Sequence, residues 1–275
     1  MTGIRHLSRT VLGALLLAAP FSVAADAEPS EPPAEVFAAQ VIFLGEQHDN
    51  RGHHEVQALW TLKLAPRAIV FEMLTADQAA KITPENRQDE TMLEQALAWE
   101  ASGWPDFSMY YPIFAAAPKA EIYGAGVPRD QLRDLMAEDL ADVVGAETVA
   151  RFALDQPLPA SEQTIREDLQ RTAHCDALPE ELLPRMVSVQ RLRDANLAQV
   201  ALQALETHGP PVVVITGNGH AREDWGAPFL LRQAAPEVAV FTLGQGEAGR
   251  MPEGGFAFVV DGASVDRGDP CAAFN

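Results

Sequence analysis

Four residues carry the chemistry that this chain offers: Glu46 and His48 in "VIFLGEQHDN", Glu72 in "AIVFEM" and His220 in "ITGNGHARED". Carboxylates and imidazoles exchange protons near neutral pH, and the same groups ligate divalent metals. Each follows directly on a short aliphatic run, so each would be delivered to the end of a strand. Two of the turns share one form, Gly-x-x-His: Gly45-Glu46-Gln47-His48 and Gly217-Asn218-Gly219-His220. Arg129 follows another run, "AEIYGAGVP", and would bring a guanidinium to the same edge. With a divalent ion, Glu46, His48, Glu72 and His220 supply N and O ligands suited to Zn or Mn, and metal-bound water would attack an amide or ester. Without one, an imidazole beside Glu46 or Glu72 would act as general base, with Arg129 or Arg193 holding an anionic group. A third reading is a non-catalytic relative that keeps the acids and imidazoles as a buried structural network.

Taken singly, each residue has a plainer role: His48 a loop residue, Glu72 an ion-pair partner, Arg129 a cap on a local carboxylate. Glu72 argues against that for the set, because it abuts its strand with no loop to lift it into water, and a half-buried carboxylate needs a partner. His53 and His54 read as exposed residues at the start of a helix.

The elements that must position these groups alternate along the chain. Aliphatic runs at 41–44, 68–71, 120–123, 212–216, 238–242 and 256–260 are mostly continuous rather than alternating, as in parallel strands covered on both faces. Helical patterns separate them, as in "HEVQALWTLKL" with Val56, Leu59, Trp60 and Leu64. The expected class is α/β, a mostly parallel sheet flanked by helices, and ligands of such sheets bind outside the carboxyl ends of the strands. Between the third and fourth runs lie helical patterns at 129–144, about 146–153, 161–173 and 180–207, too long for one crossover, so a small helical subdomain is expected over about 129–185. On the last of these helices Met186, Val189, Gln190, Arg193, Leu197, Val200 and Ala204 share a face. Gln190 and Arg193 either snorkel out from that stripe or line the pocket and meet its carboxylates.

Residues 1–25 read as a secretory signal peptide: Arg5 and Arg9, the short apolar core "VLGALLLAAP", then small residues. Residues 26–38, rich in Pro and acids, read as a flexible lead-in, and 39–275 as the α/β domain. The expected location is the periplasm. No Cys follows the leader to accept a lipid, and no later run reaches the length of a membrane span. A formal charge of −19 makes nucleic acid and anionic membranes poor partners. Cys175 and Cys271 read as one disulfide in an oxidising compartment, the alternatives being free thiols or a metal pair of Cys175 with His174. A dinucleotide fingerprint, a Walker loop, G-x-S-x-G and H-E-x-x-H are all missing.

The paired Gly-x-x-His turns, with Glu72 in "FEM", resemble the Tiki/TraB/erythromycin-esterase-like superfamily. "GWPDFSMYYPIFAAA" at 103–117, "VPR" at 127–129, "HCDALPEELLPRMVSVQRLRDANLA" at 174–198 and "ITGNGHARED" at 215–224 resemble the ChaN family of haem-binding uptake proteins. That resemblance implies an α/β domain with a small helical domain, haem bound for iron acquisition, and often a homodimer. The wider superfamily implies metal-dependent peptidases, or esterases with a His base; those roles would fall on His48, Glu46, Glu72 and His220. The chain departs from the family in lacking a lipid-bearing Cys. The family's haem ligand is a Tyr, whereas this chain has Tyr110, Tyr111 and Tyr123, none in the expected insert. Tyr110 and Tyr111, next to Met109 and Trp104, are the candidate ligands, with aromatic packing at a helix start as the alternative.

Overall fold

The computed structural model describes residues 30–135, 140–269 and 271–272, so the expected signal peptide at 1–25 lies outside the described residues. Six parallel strands form one sheet: β1 (Val41–Glu46), β2 (Ala68–Phe71), β3 (Glu121–Gly124), β4 (Val212–Gly217), β5 (Val240–Glu247) and β6 (Phe258–Gly262), in the order β3-β2-β4-β1-β5-β6. The expected α/β class is the observed one. The helices before the third crossover are α1 (Arg51–Leu64), α2 (Ala76–Ala79), α3 (Glu90–Leu97) and α4 (Phe107–Ala116). Between β3 and β4 the chain runs through α5 (Arg129–Leu135), α6 (Leu140–Val144), α7 (Ala146–Arg151), α8 (Ala160–Ala173) and α9 (Leu183–His208). The short α10 (Asn218–Ala221) and α11 (Ala227–Ala234) link β4 to β5.

Strand side chains alternate between two apolar layers, which is why the runs are apolar throughout. Ile42, Leu44, Ile69, Phe71, Val213 and Ile215 pack with residues of α1, α3 and α4. Val41, Phe43, Ala68, Val70, Val212 and Val214 pack with residues of α9 and α11. On α9 the residues against the sheet include Ala195, Ala198, Ala201 and Ala204, small enough for a long helix to lie close. Edge strand β6 alternates instead, with Val259 exposed.

Two boundaries differ from the sequence reading. β5 and β6 extend further toward their carboxyl ends, because Gly244, Gln245 and Gly246 pair with β6 despite their low strand propensity. Gln245 is held there by donating Nε2 to the Gly45 and His53 carbonyls. Part of the expected loose lead-in is packed: residues 34–38 form a 3-10 turn with Val36 buried, and the Trp60 indole donates to the Ser30 carbonyl. The expected disulfide joins Cys175, just beyond α8, to Cys271. Upstream of it, Arg267 binds Asp49 and Glu247, which ties the C-terminal segment to the loop after β1.

The strand order fixes where a ligand can enter. β1 and β4 are neighbours, yet β1 leads toward β2 through α1 on one face and β4 leads toward β5 through α10 and α11 on the other. Their loops part in opposite directions, leaving a crevice at the carboxyl ends. Both Gly-x-x-His turns lie here, with Glu46 in register with Gly217. The leading glycines are needed for space. A Cβ on Gly45 would stand 2.5 Å from Asn218 Oδ1 and 2.7 Å from the Leu243 carbonyl, and one on Gly217 would stand 2.9 Å from His48 Nε2. Gly219, inside the second turn, has nothing within 4 Å. Chemical denaturation should show this difference: Gly45→Ala should cost about 1–3 kcal/mol through overpacking, and Gly219→Ala less than about 0.5 kcal/mol. Equal effects would mean that the turn does not depend on close approach.

Candidate functional site

The strand ends deliver a continuous chain of alternating acids and imidazoles. Glu46, the last residue of β1, is buried, and its Oε1 accepts from His48 Nδ1 at 2.7 Å and from the Tyr110 hydroxyl at 2.9 Å. Its Oε2 faces His54 Nδ1 at 3.2 Å without hydrogen-bond alignment. The other nitrogen of His48 lies 4.0 Å from Glu72 Oε2. Glu72, one residue past β2, receives the Thr216 hydroxyl at 2.7 Å and the Gly217 amide at 2.9 Å on that same oxygen. Its Oε1 lies 3.5 Å from His220 Nε2, and His220 Nδ1 donates to Asp194 Oδ1 at 2.7 Å. The order is therefore Tyr110–Glu46–His48–Glu72–His220–Asp194, with His54 branching from Glu46.

Burial alone would push both glutamates up and both imidazoles down. The neighbours win. Burial raises Glu72, but the charges of His220, His48 and Arg193 and the Thr216 hydrogen bond bring it down to about 2. Burial lowers His48, but the hydrogen bond to Glu46 and the charges of Glu72 and Glu46 lift it to about 9. Glu46 is lowered by His54, His48 and Tyr110 against its own desolvation. His220 is raised because carboxylates face both of its nitrogens. Burial and the adjacent Glu46 push the Tyr110 phenol up, so it holds its proton.

The predicted residues divide into those the structure gathers and those it does not. Glu46, His48, Glu72 and His220 meet as the strand-end argument requires. Arg193 adds its charge to Glu72, His48 and His220, although no hydrogen bond joins them. Gln190 lines the neighbouring cleft. Arg129 is exposed and donates to the Ser102 carbonyl at 2.6 Å; it joins none of these acids, because α5 begins with it and carries it past the edge. Tyr110 is fully buried and donates to Glu46, while Tyr111 beside it is half-buried. His53 and His54 are buried, not exposed: His53 accepts from the Gln47 amide and reaches the Gly246 carbonyl, and His54 Nε2 donates to the His48 carbonyl. Both turn inward because Asn50 caps α1 so close to the sheet that its first turn faces the core. Asp194 went unread; its signal was an acid at helical spacing, four and seven residues before Ala198 and Ala201, on the buried side of α9. Among the described residues no three His, Cys, Asp or Glu groups are arranged to hold a metal ion, Glu46, His48, Glu72 and His220, the Zn or Mn set of the hydrolase alternative, included.

The chain opens at His220 into a cleft of about 450 Å³ between α8, α9 and the turn after β4. Leu169, Ala173, Val187, Trp225 and Pro252 give it apolar walls; Asp194, His220 and Arg166 give it polar ones. A larger hollow of about 730 Å³ beside β3 holds none of the chain, and its Arg87 is spent on the Phe114, Ala117 and Ala120 carbonyls. Chemistry, not volume, selects the cleft at His220.

The family described as haem-binding uptake, Tiki superfamily, ChaN, matches residues 34–231, and the chain belongs to that family. The fold is similar to that of ChaN of Campylobacter jejuni, described with cofacial haem binding, at 21% identity and a TM-score of 0.61 over 77% of this chain and 83% of that one. More distant likenesses are a mutant erythromycin esterase, EreC, in its open conformation (15% identity, TM-score 0.43, 77% of this chain and 71% of that one) and the type III effector HopBA1 (13%, 0.41, 82% and 88%). No curated protein matches the chain.

The shifted groups predict how stability follows pH. His48, raised from 6.5 to about 9, contributes in full below about pH 6.5 and loses that contribution as pH rises through about 9. Glu72, lowered from 4.5 to about 2, contributes in full above about pH 4.5 and loses it as pH falls through about 2. The melting temperature should therefore peak between these limits and fall toward pH 9. In NMR the His48 ring should titrate near 9, and Glu46→Gln should return it toward the 6.5 of a free imidazole. A midpoint near 6.5 in the unaltered protein would show that the Glu46–His48 pair does not exist in solution.

Proposed function

We propose that the chain binds haem in the cleft between α8, α9 and the turn after β4, and that it does so for haem or iron uptake in the periplasm. Family membership supports the ligand class. The observation that carries the site is the make-up of the cleft. It has apolar walls for a macrocycle, a guanidinium at Arg166 for a propionate, and one imidazole, His220, whose Nδ1 is fixed by a carboxylate. A ligating imidazole is commonly oriented in this way by its second nitrogen. When bound, haem would supply the iron centre; the chain's part is to enclose it, neutralise its acid groups and offer a donor.

The phenols fit that part unevenly. Iron takes a phenolate, yet Tyr110 is fully buried with its proton held toward Glu46. Tyr123 is paired with His208 at 2.8 Å. Tyr111 is half-buried on α4, packed with the apolar layer on the other face of the sheet, so the donor that lines the cleft is the His220 imidazole. Location in the periplasm is supported by the leader pattern at 1–25 and by the Cys175–Cys271 bridge, which suits an oxidising compartment. Hydrolysis is less well supported. At neutral pH His48, with its pKa raised to about 9, already carries its proton, so it is not poised as a general base.

A Soret titration of the chain without residues 1–25 tests the reading. Saturable binding is expected, weakened about tenfold or more by loss of the iron donor in His220→Ala. Non-saturating adsorption that this variant does not alter would refute it.

A further inference from the structure

Arg166 is a buried cation whose bonding is incomplete. It lies on α8 with its side chain 9% exposed and lines the cleft. A guanidinium has five N–H donors, and a buried charge is costly unless they are met. Among the described residues only Nη2 has a hydrogen-bond acceptor, Glu162 one turn back on the same helix, and Nε is buried without one.

Its surroundings narrow what is missing. The guanidinium stands 4.9 Å from the centre of the Trp225 ring, and Arg222 covers the same ring at 3.6 Å. Arg222 is already satisfied, donating Nε and Nη2 to the two carboxylate oxygens of Asp224 at 2.6 and 2.8 Å. Arg191 adds a third positive charge near Arg166. Of the acids in reach, Asp194 is engaged by His220 and Glu162 takes one edge. Nη1 has no acceptor among the described residues and, unlike Nε, is not a buried atom, so it is the edge of the guanidinium open to an anion, beside an indole face and the apolar side chains of Leu169 and Val187.

We propose that Arg166 is the carboxylate anchor of the cleft. The ligand is an amphipathic aromatic acid, with its carboxylate on the guanidinium and its apolar body along Trp225, Leu169 and Val187. A guanidinium matches a carboxylate in fork geometry, which a point charge does not. The proposal rests on the cleft being the haem site insofar as the acid is a haem propionate. A free aromatic acid presents the same chemistry, and the test separates the two.

Wild type, Arg166→Gln and Arg166→Lys are titrated with ferric haem and with its dimethyl ester by the Soret band, and with 2-naphthoate by calorimetry. Wild type should prefer haem to the ester by about 10- to 100-fold, as for a charge-assisted pair. In Arg166→Gln that preference should fall to about twofold or less while ester binding is kept, and Arg166→Lys should restore only part of it. Equal affinity of wild type for acid and ester, or a preference that survives in Arg166→Gln, overturns the anchor and leaves the haem reading standing. If neither porphyrin binds, the haem reading falls. The naphthoate arm then decides: saturable binding lost in Arg166→Gln upholds the anchor, and no binding overturns it. Should Arg166→Gln fail to fold, the acid–ester comparison in wild type and the Arg166→Lys variant carry the decision.

Discussion

The constraint on which the site depends is the burial of Glu72 at the end of β2. A carboxylate only 4% exposed cannot stay charged in an apolar sheet unless several groups converge on it. Here the Thr216 hydroxyl and the Gly217 amide bind one oxygen, while His48 and His220 approach from either side. Those two imidazoles arrive because the neighbouring strands β1 and β4 end in turns of the same form. Gly217 carries no side chain because His48 occupies that space. Each imidazole then takes a second carboxylate, Glu46 or Asp194, so the charge of Glu72 propagates outward as an alternating row.

Much of this was legible in the sequence because it follows from strand ends. A parallel sheet sends its strand termini to one edge, so residues directly after aliphatic runs must meet there, and Glu46, His48, Glu72 and His220 do. Arg129 broke the pattern for a physical reason: "AEIYGAGVP" leaves several residues between strand and arginine, enough for the chain to turn away. His53 and His54 were misread because the pattern shows that a helix begins but not which way its first turn faces; Asn50 and the crowded sheet edge decide that. Asp194 and Arg166 were invisible to strand-end reasoning altogether. They come from α8 and α9, whose docking against the edge is a tertiary fact, and only the cost of an acid within the apolar face of α9 hinted at one of them.

The proton inventory separates two readings that residue types alone leave equal. Glutamate next to histidine suits base catalysis or structure. Once Glu72 is down to about 2 and His48 up to about 9, the two face each other as charged groups at neutral pH. A base must be free to accept a proton. Ion-paired imidazoles do not do so readily, but they hold a strand edge and a helix rigidly together. In that role the row is the floor against which the cleft is built.

A rigid floor also explains why the wall can carry a guanidinium whose hydrogen bonding is incomplete. α8 meets α9, α9 is fixed to the sheet through Asp194 and His220, and the chain just past α8 is pinned by Cys175 to the C-terminal segment. That segment is itself bound to the β1 loop through Arg267, Asp49 and Glu247. With both ends of the wall held, Arg166 is not easily drawn out toward water by local unwinding of α8. A buried guanidinium that neither escapes nor completes its bonding is an arrangement the fold sustains at a cost, and such a cost at a cleft is recovered when an anion enters. The acid–imidazole row and the lone guanidinium thus divide the work: one fixes the shape of the cleft, the other sets the charge of what it accepts.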